Sequence, residues 1–483
     1  MNLLAVQRIL GLLLMLFSLT MLPPMVVSVH FSDGNLGPFG VAAIVIFLFG
    51  VLVWLPARGR ERDLRLRDGF LVVALFWVVL SVAGAAPLVL AARPQMSLTD
   101  AVFEAVSGFT TTGATVLNGL DDLPKSVLYY RQQIQWLGGI GMVVLAVALL
   151  PMLGVGGMQL LKAETPGPVK DAKLTPRITE TAKALWYVYV IITAACAIGY
   201  WLAGMDTFDA IAHSFSTVST GGYSTHDRNL AFFDSAGIEG VAEVFMVIGA
   251  VNFSLHFLAW RHTRLRDYIR DPECRAFMAI LIISATLCSV SLWLTQQFSS
   301  GAEATRHGVF AAVSLLTTTG FRTDDFSHWP GAVPVILILT TFIGGCAGSA
   351  AGGMKVIRWV LMWKQGSREV VRLVHPSALL PVKLGGKAVE WRVIVAVWGF
   401  FAVYVVCFGL LMVALMASGE DQVTAFSAIA AAINNTGPAL GAVSGNFMLM
   451  SDPGKWICII AMVLGRLEIY PLLVLITPTF WRR

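Results

Sequence analysis

Four short stretches constrain this chain more than anything else in it. They read AVSGFTTTGATVL (105–117), FSTVSTGGYST (215–225), AVSLLTTTGFRT (312–323) and AAAINNTGPALG (430–441). Superimposed, they put Gly113, Gly222, Gly320 and Gly437 at one position, about a hundred residues apart, so one supersecondary unit is used four times. In each unit an apolar run too short to span a bilayer leads into a Thr/Gly turn. A second glycine follows inside a long apolar run, in LGGIG, IGAVN, IGGCAG and LGRLE. Each unit therefore reads as long outer helix, short helix, turn, long inner helix.

The turn points to a cation. Non-helical backbone at membrane depth survives only where it is buried or lines a water-filled cavity. Glycine permits the positive φ angles that turn successive carbonyls toward one axis. Four such segments around an axis give rings of carbonyl oxygens able to replace the hydration shell of a potassium ion. The alternative is four re-entrant turns that only tie helices together. A single TTG would not separate the two; four at matched positions favour the filter.

Composition agrees, with 57% hydrophobic and only 13% charged residues, a membrane protein's balance. The six cysteines form no CxxC pair and read as buried thiols. The segment 3–29 is expected to stay as a first helix, since no A-x-A cleavage site follows it. A second helix covers 39–55. These two leading helices (1–58) carry no Thr/Gly turn. The four units then occupy 69–153, 181–260, 274–363 and 391–477, with short helices at 98–109, 208–218, 304–316 and 422–433. Ten spanning helices and four half-membrane hairpins result. The expected fold is an all-α integral membrane protein, two leading helices plus four helix–pore-loop–helix repeats around a pseudo-fourfold pore.

Charge sets the orientation. With both termini inside, only Arg93, Lys125, Arg131, Arg228, Arg306, Arg322 and Lys455 fall outside and Arg466 lies within a helix, out of 34 Lys and Arg. The positive-inside rule selects this topology, and the turns then face the acidic outer side. The basic segments 355–392 (Lys355, Arg358, Lys364, Arg368, Arg372, Lys383, Lys387, Arg392) and 154–180 either dock a regulatory subunit or anchor to anionic lipid.

Two further features stand out. Arg466, in VLGRLEIYPLLVL, is a charge within a spanning helix, and such residues face a cavity or a partner. It reads as a positive pore barrier below the turns; the alternative is an ion pair with Glu468, two residues on and not on the same helix face. The run 344–353 holds Gly344, Gly345, Gly348, Gly352 and Gly353, too much glycine for a stable helix. It reads as an intramembrane gate loop, against a close helix-packing site of small residues. It is no nucleotide loop, because Met354 stands where a lysine is needed and no strand precedes it. No metalloprotease histidine spacing and no catalytic triad or carboxylate pair stands out, so an enzyme finds no support.

TTTGA, STGGY, TTTGF and NNTGP, the loop IGGCAGSAAGG and the tail LGRLEIYPLLVLITPTFW together resemble the Trk/Ktr/HKT superfamily of potassium transporters. The two leading helices, the segment ETPGPVKDAKLTPRI and the tail are most similar to its bacterial TrkH/TrkG branch. The resemblance covers the whole chain. It implies potassium uptake across the bacterial inner membrane, with transported potassium held at the filter carbonyls of Thr111, Thr112, Gly113, Thr220, Gly221, Gly222, Thr318, Thr319, Gly320, Asn435, Thr436 and Gly437. It implies a homodimer with one pore per subunit and a cytosolic TrkA-like ring. Nucleotide would enter only through that partner. No covalent cofactor and no nucleic acid are expected. Gly221 and Asn435 replace threonine, so the four sides are not equivalent. A sodium-preferring or sodium- or proton-coupled transporter of the same fold is the alternative function.

Overall fold

Each short helix begins on a side chain that satisfies its own first turn. In the computed structural model, which describes residues 2–59, 66–148, 174–378 and 380–481, the short helices are Leu98–Phe109, Thr207–Val218, Gly301–Leu316 and Gln422–Ile433. Ser97, Asp206, Ser300 and Asp421 cap them by accepting backbone N–H bonds. Three of the helices have 12 residues, whereas the third has 16 and starts one turn earlier than its sequence suggested. All four are buried over the half that leads into the turn.

The long helices surround them. Among the described residues six are long and apolar enough to cross a membrane: Leu3–Phe31, Leu36–Ala57, Asp68–Leu90, Ala182–Leu202, Pro272–Leu294 and Trp391–Ala417. Their outward faces carry exposed Val26, Leu52, Leu410 and Val413, which suits contact with acyl chains. The two leading helices pack closely where Gly11 and Gly50 face each other; a Cβ on Gly11 would sit 2.8 Å from the Gly50 carbonyl oxygen. They also hold the first unit, through Gln133 Nε2 donating to the Thr20 carbonyl at 2.8 Å and an edge-to-face contact of Phe17 with Phe109.

The inner helices depart from expectation. The first, Lys125–Ala148, is continuous over its described length; residues 149–153, the remainder of the first unit as expected, lie outside the described residues. So do 60–65 in the arginine-rich segment and 154–173, which includes most of ETPGPVKDAKLTPRI. The second is bent by 96° between Ala236–Ala250 and Phe253–Arg261. There Val251 is extended, and Asn252 caps the new helix by accepting from Ser254 N–H at 2.8 Å. The third stops at Ile343 and resumes at Val356. The fourth is bent by 113° between Asp452–Arg466 and Tyr470–Ile476, with Glu468 and Ile469 at positive φ. Pro471 cannot donate to the helix before it, which explains the stop. Continuous inner helices over 237–260 and 455–477 are thus corrected: three of the four break. A two-stranded antiparallel hairpin, Lys383–Leu384 with Lys387–Ala388, follows the helix Val356–Val374.

Candidate functional site

The four turns share one backbone geometry. Thr111, Thr220, Thr318 and Asn435 have φ of 55°, 53°, 56° and 52°, and Gly113, Gly222, Gly320 and Gly437 have φ of 82°, 77°, 83° and 88°. Left-handed residues at alternate positions turn successive carbonyls to one side of the strand. A β-branched residue at positive φ is strained by about 1–2 kcal/mol. The strain is offset by how each short helix ends. Thr112, Gly221, Thr319 and Thr436 donate their N–H back to Ser107, Ser216, Ser314 and Ala431 at 2.8–2.9 Å, the six-to-one bond of a Schellman ending.

The strands close into a ring. A Cβ on Gly113 would collide with the Gly221 carbonyl oxygen, one on Gly222 with that of Thr319, one on Gly320 with that of Thr436, and one on Gly437 with that of Thr112. Every glycine thus lies against the carbonyl just before the next unit's glycine, and the fourth meets the first. Glycine is required here for space as well as for φ. The short helices end at this ring, so the negative ends of four helix dipoles surround it. The structure therefore brings Thr111–Gly113, Thr220–Gly222, Thr318–Gly320 and Asn435–Gly437 together, from sequence positions hundreds of residues apart.

The four sides differ in their support. Thr112 and Thr319 hydroxyls pair with those of Thr110 and Thr317, each at 2.8 Å. Asn435 Nδ2 donates to Thr112 Oγ1 and to the Met462 carbonyl, both at 3.0 Å. On the second side Gly221 has no side chain, and Gln135 Nε2 donates to its carbonyl at 2.7 Å. Behind the first side, Arg131 and Glu104 form a buried ion pair at 2.8 Å, with Arg131 over the Tyr223 ring.

Outside the ring lies a funnel of about 440 Å³ lined by the four glycines with Asp227, Asp324 and Asp325, but also by Arg131, Arg228 and Arg322. His226 on its wall bridges Asp121 and Asp209 and stacks on Phe232. Burial works against its protonation, but hydrogen bonds and charge from Asp209 and Asp121 outweigh this and raise its pKa above 6.5. Burial of Asp121 is likewise outweighed, chiefly by the His226 bond, and its pKa falls.

Inside the ring the inner helices press on the short ones. A Cβ on Gly138, Gly249 or Gly465 would strike the last carbonyl of its own unit's short helix, that of Phe109, Val218 or Ile433. The third unit differs. Its segment 344–355 runs beneath the ring and bonds across it: Cys346 N–H to the Ala250 carbonyl at 2.8 Å, Gly353 N–H to that of Asn434 at 3.1 Å, and Gly352 N–H to Thr318 Oγ1 at 2.6 Å. Gly344, Gly348 and Gly353 take positive φ; Gly345 and Gly352 are crowded by Ala250 and Asn434 carbonyls.

Arg466 is 2% exposed and donates from Nη1 to the Ala350 carbonyl of this segment at 2.9 Å and from Nη2 to that of Gly138 at 3.2 Å. Its Nε has no hydrogen-bond partner among the described residues. An Arg466–Glu468 ion pair is not what forms: Glu468 pairs with Arg358. Lys355 and Arg358, read from the sequence as part of an inner-side basic loop, are instead buried, and Lys355 Nζ bonds the Ala351 carbonyl. Gln135, Lys355 and Arg358 were missed as site residues. Gln135, within the polar run RQQIQ of an otherwise apolar helix, carried a signal that could have found it.

A family model described as TrkH, cation transport protein, matches residues 39–482. The Trk system potassium uptake protein TrkH of Halomonas elongata is 55% identical over 483 residues, all of both chains. Its namesake from Vibrio parahaemolyticus is 52% identical over 480 residues, 99% of each. The TrkG protein of the Escherichia coli Trk system is 41% identical over 477 residues, 99% of this chain and 98% of that one. The crystal structure of the potassium transporter TrkH from Vibrio parahaemolyticus superposes with a TM-score of 0.94, at 49% identity and over 100% of both chains. A ring of four Thr/Gly strands at the ends of four short helices, matched along the whole chain, makes this protein a member of the TrkH family of cation transport proteins.

Proposed function

We propose that this chain takes up potassium ions across the bacterial inner membrane through a filter built from the carbonyls of residues 111–113, 220–222, 318–320 and 435–437. The closed contact of each filter glycine with the next unit's carbonyl carries this reading, because it leaves no room for side chains between the strands. The Halomonas and Vibrio relatives, named for potassium uptake, support the choice of ion. The protein is a transporter, not an enzyme.

The segment 344–353 is the gate. It lies under the ring and is held by bonds to the second and fourth units and to Thr318 of its own, most of them to backbone carbonyls or a neutral hydroxyl that water can replace, with Arg466 as a charged donor. Arg466 adds a positive barrier and ties the gate shut. The subunits pair as a homodimer, with both termini inside and the basic inner segments facing anionic lipid and a cytosolic TrkA-like ring. Nucleotide acts through that ring alone.

The test is rubidium against sodium flux in liposomes, for the native protein and for Gly→Ser at 113, 222, 320 and 437. Each serine should weaken discrimination while the protein still inserts. Flux ratios unchanged in all four variants would refute the carbonyl filter, and a native preference for sodium would favour the sodium-coupled alternative.

A further inference from the structure

The filter has four walls, but only three carry a threonine just before the glycine: Thr112, Thr319 and Thr436, with Gly221 on the second. The space a side chain would take at Gly221 is already filled. A Cβ there would meet the Gln135 amide carbon and its oxygen at 2.5 Å. Gln135 comes from the first inner helix, 86 residues away in sequence, and is fully buried. Its Nε2 donates to the Gly221 carbonyl at 2.7 Å, and its Oε1 accepts from the Tyr223 N–H at 3.2 Å. Both ends of the amide thus grip the same strand, on either side of Gly222.

The rest of the helix supports this placement. Gln132, one turn earlier on the same face, accepts a bond from Ser216 of the second short helix. Positions equivalent to Gln135, three before the inner-helix glycines, hold Met246, Thr341 and Met462 in the other units. A long amide therefore stands at the one inner-helix position whose neighbouring filter strand lacks a side chain.

We propose that Gln135 is a positioning residue of the filter, a stand-in side chain that fixes the second strand and holds the Gly221 carbonyl by hydrogen bonding. This rests on the filter reading above. A carbonyl engaged by an amide donor has one of its two lone pairs occupied and its direction fixed, unlike its three counterparts. It also moves less, so the cavity keeps its size when a smaller ion enters. Without Gln135 the strand is free to close on sodium.

The experiment compares rubidium and sodium flux in liposomes for the full chain, as a ratio, so that the amount of folded protein cancels. Gln135→Met removes both bonds, and Gln135→Asn withdraws the amide by one methylene in case the first variant folds poorly. Each should lower the rubidium/sodium ratio by about three- to tenfold, the scale of one buried hydrogen bond. The double variant Gly221→Thr with Gln135→Ala clears the space now filled by the amide, rebuilds the second wall in the pattern of the other units and should recover most of the ratio. Loss of yield and total flux with the ratio intact overturns the proposal, since that is what a merely structural glutamine would give. So does a double variant that stays as unselective as Gln135→Met. Gly320→Ser is the reference: if its ratio falls while the Gln135 variants keep theirs, this inference alone fails, and if neither falls, the filter reading fails with it.

Discussion

Replacing Arg466 separates charge from tethering. The guanidinium sits below the ring and directs two donors to the Gly138 and Ala350 carbonyls, one on the first inner helix and one on the segment 344–353. Hydrogen bonds from a charged donor are worth about 1.5–3 kcal/mol each. A fixed positive charge also repels a monovalent cation by about 4 kcal/mol at 4 Å, or about 2 kcal/mol at 8 Å, with an effective dielectric of 20. Glu468 relieves little of this, because Arg358 already engages it. Each ~1.4 kcal/mol removed from a barrier is tenfold in rate, so Arg466→Ala should raise rubidium flux per folded protein by on the order of tenfold or more. Filter preference should be largely kept. Arg466→Lys retains the charge but loses the planar fork that reaches two carbonyls. If repulsion dominates, the lysine variant stays near the native flux; if the tie to Ala350 dominates, it follows alanine. The assay is tracer uptake into liposomes, normalised to protein that elutes as folded oligomer. An alanine variant that inserts normally and conducts no faster than native refutes both roles. Yield and flux falling together would reduce Arg466 to a structural part.

Two other outcomes follow from the geometry. Shortening the segment 344–353 should raise flux and reduce dependence on the cytosolic partner; flux that stays low under intact partner control would leave only a packing role. The Asp121–His226–Asp209 bridge should be pH dependent: because folding raises the His226 pKa, its stabilisation is complete below about 6.5 and is lost as pH rises through the raised value. The difference in melting temperature between native protein and His226→Gln should therefore shrink as pH rises from 6 to 9, and a difference that grows would contradict the assignment.

Much of the site was legible because it is local. The left-handed positions recur at one spacing from each glycine, and the residues that cap and end the short helices lie within a turn or two of the backbone they satisfy. The broken third inner helix was legible for the same reason, since five glycines in ten residues cannot hold a helix. Arg466 stood out because a lone charge among apolar residues must find a partner. The bend at 467–469 had a local mark in Pro471 that a purely hydropathic reading passes over. The bend at Val251–Asn252 had none as strong.

What remained depends on how the four units are rotated against one another. Nothing near Gln135 in sequence names Gly221 as its partner, and nothing near Glu468 says that Arg358, 110 residues earlier, will take it in place of Arg466. Lys355 and Arg358 looked like loop cations because their neighbours are basic, yet both are buried where the third inner helix resumes, and there buried charges must bond to carbonyls or to one another. Sequence alone determined the repeat, the turn geometry and the segment that cannot be helical, because those are preferences of adjacent residues. Only the tertiary structure decided which unit's side chain completes another's wall, because that choice is made by contact between surfaces that the chain brings together last.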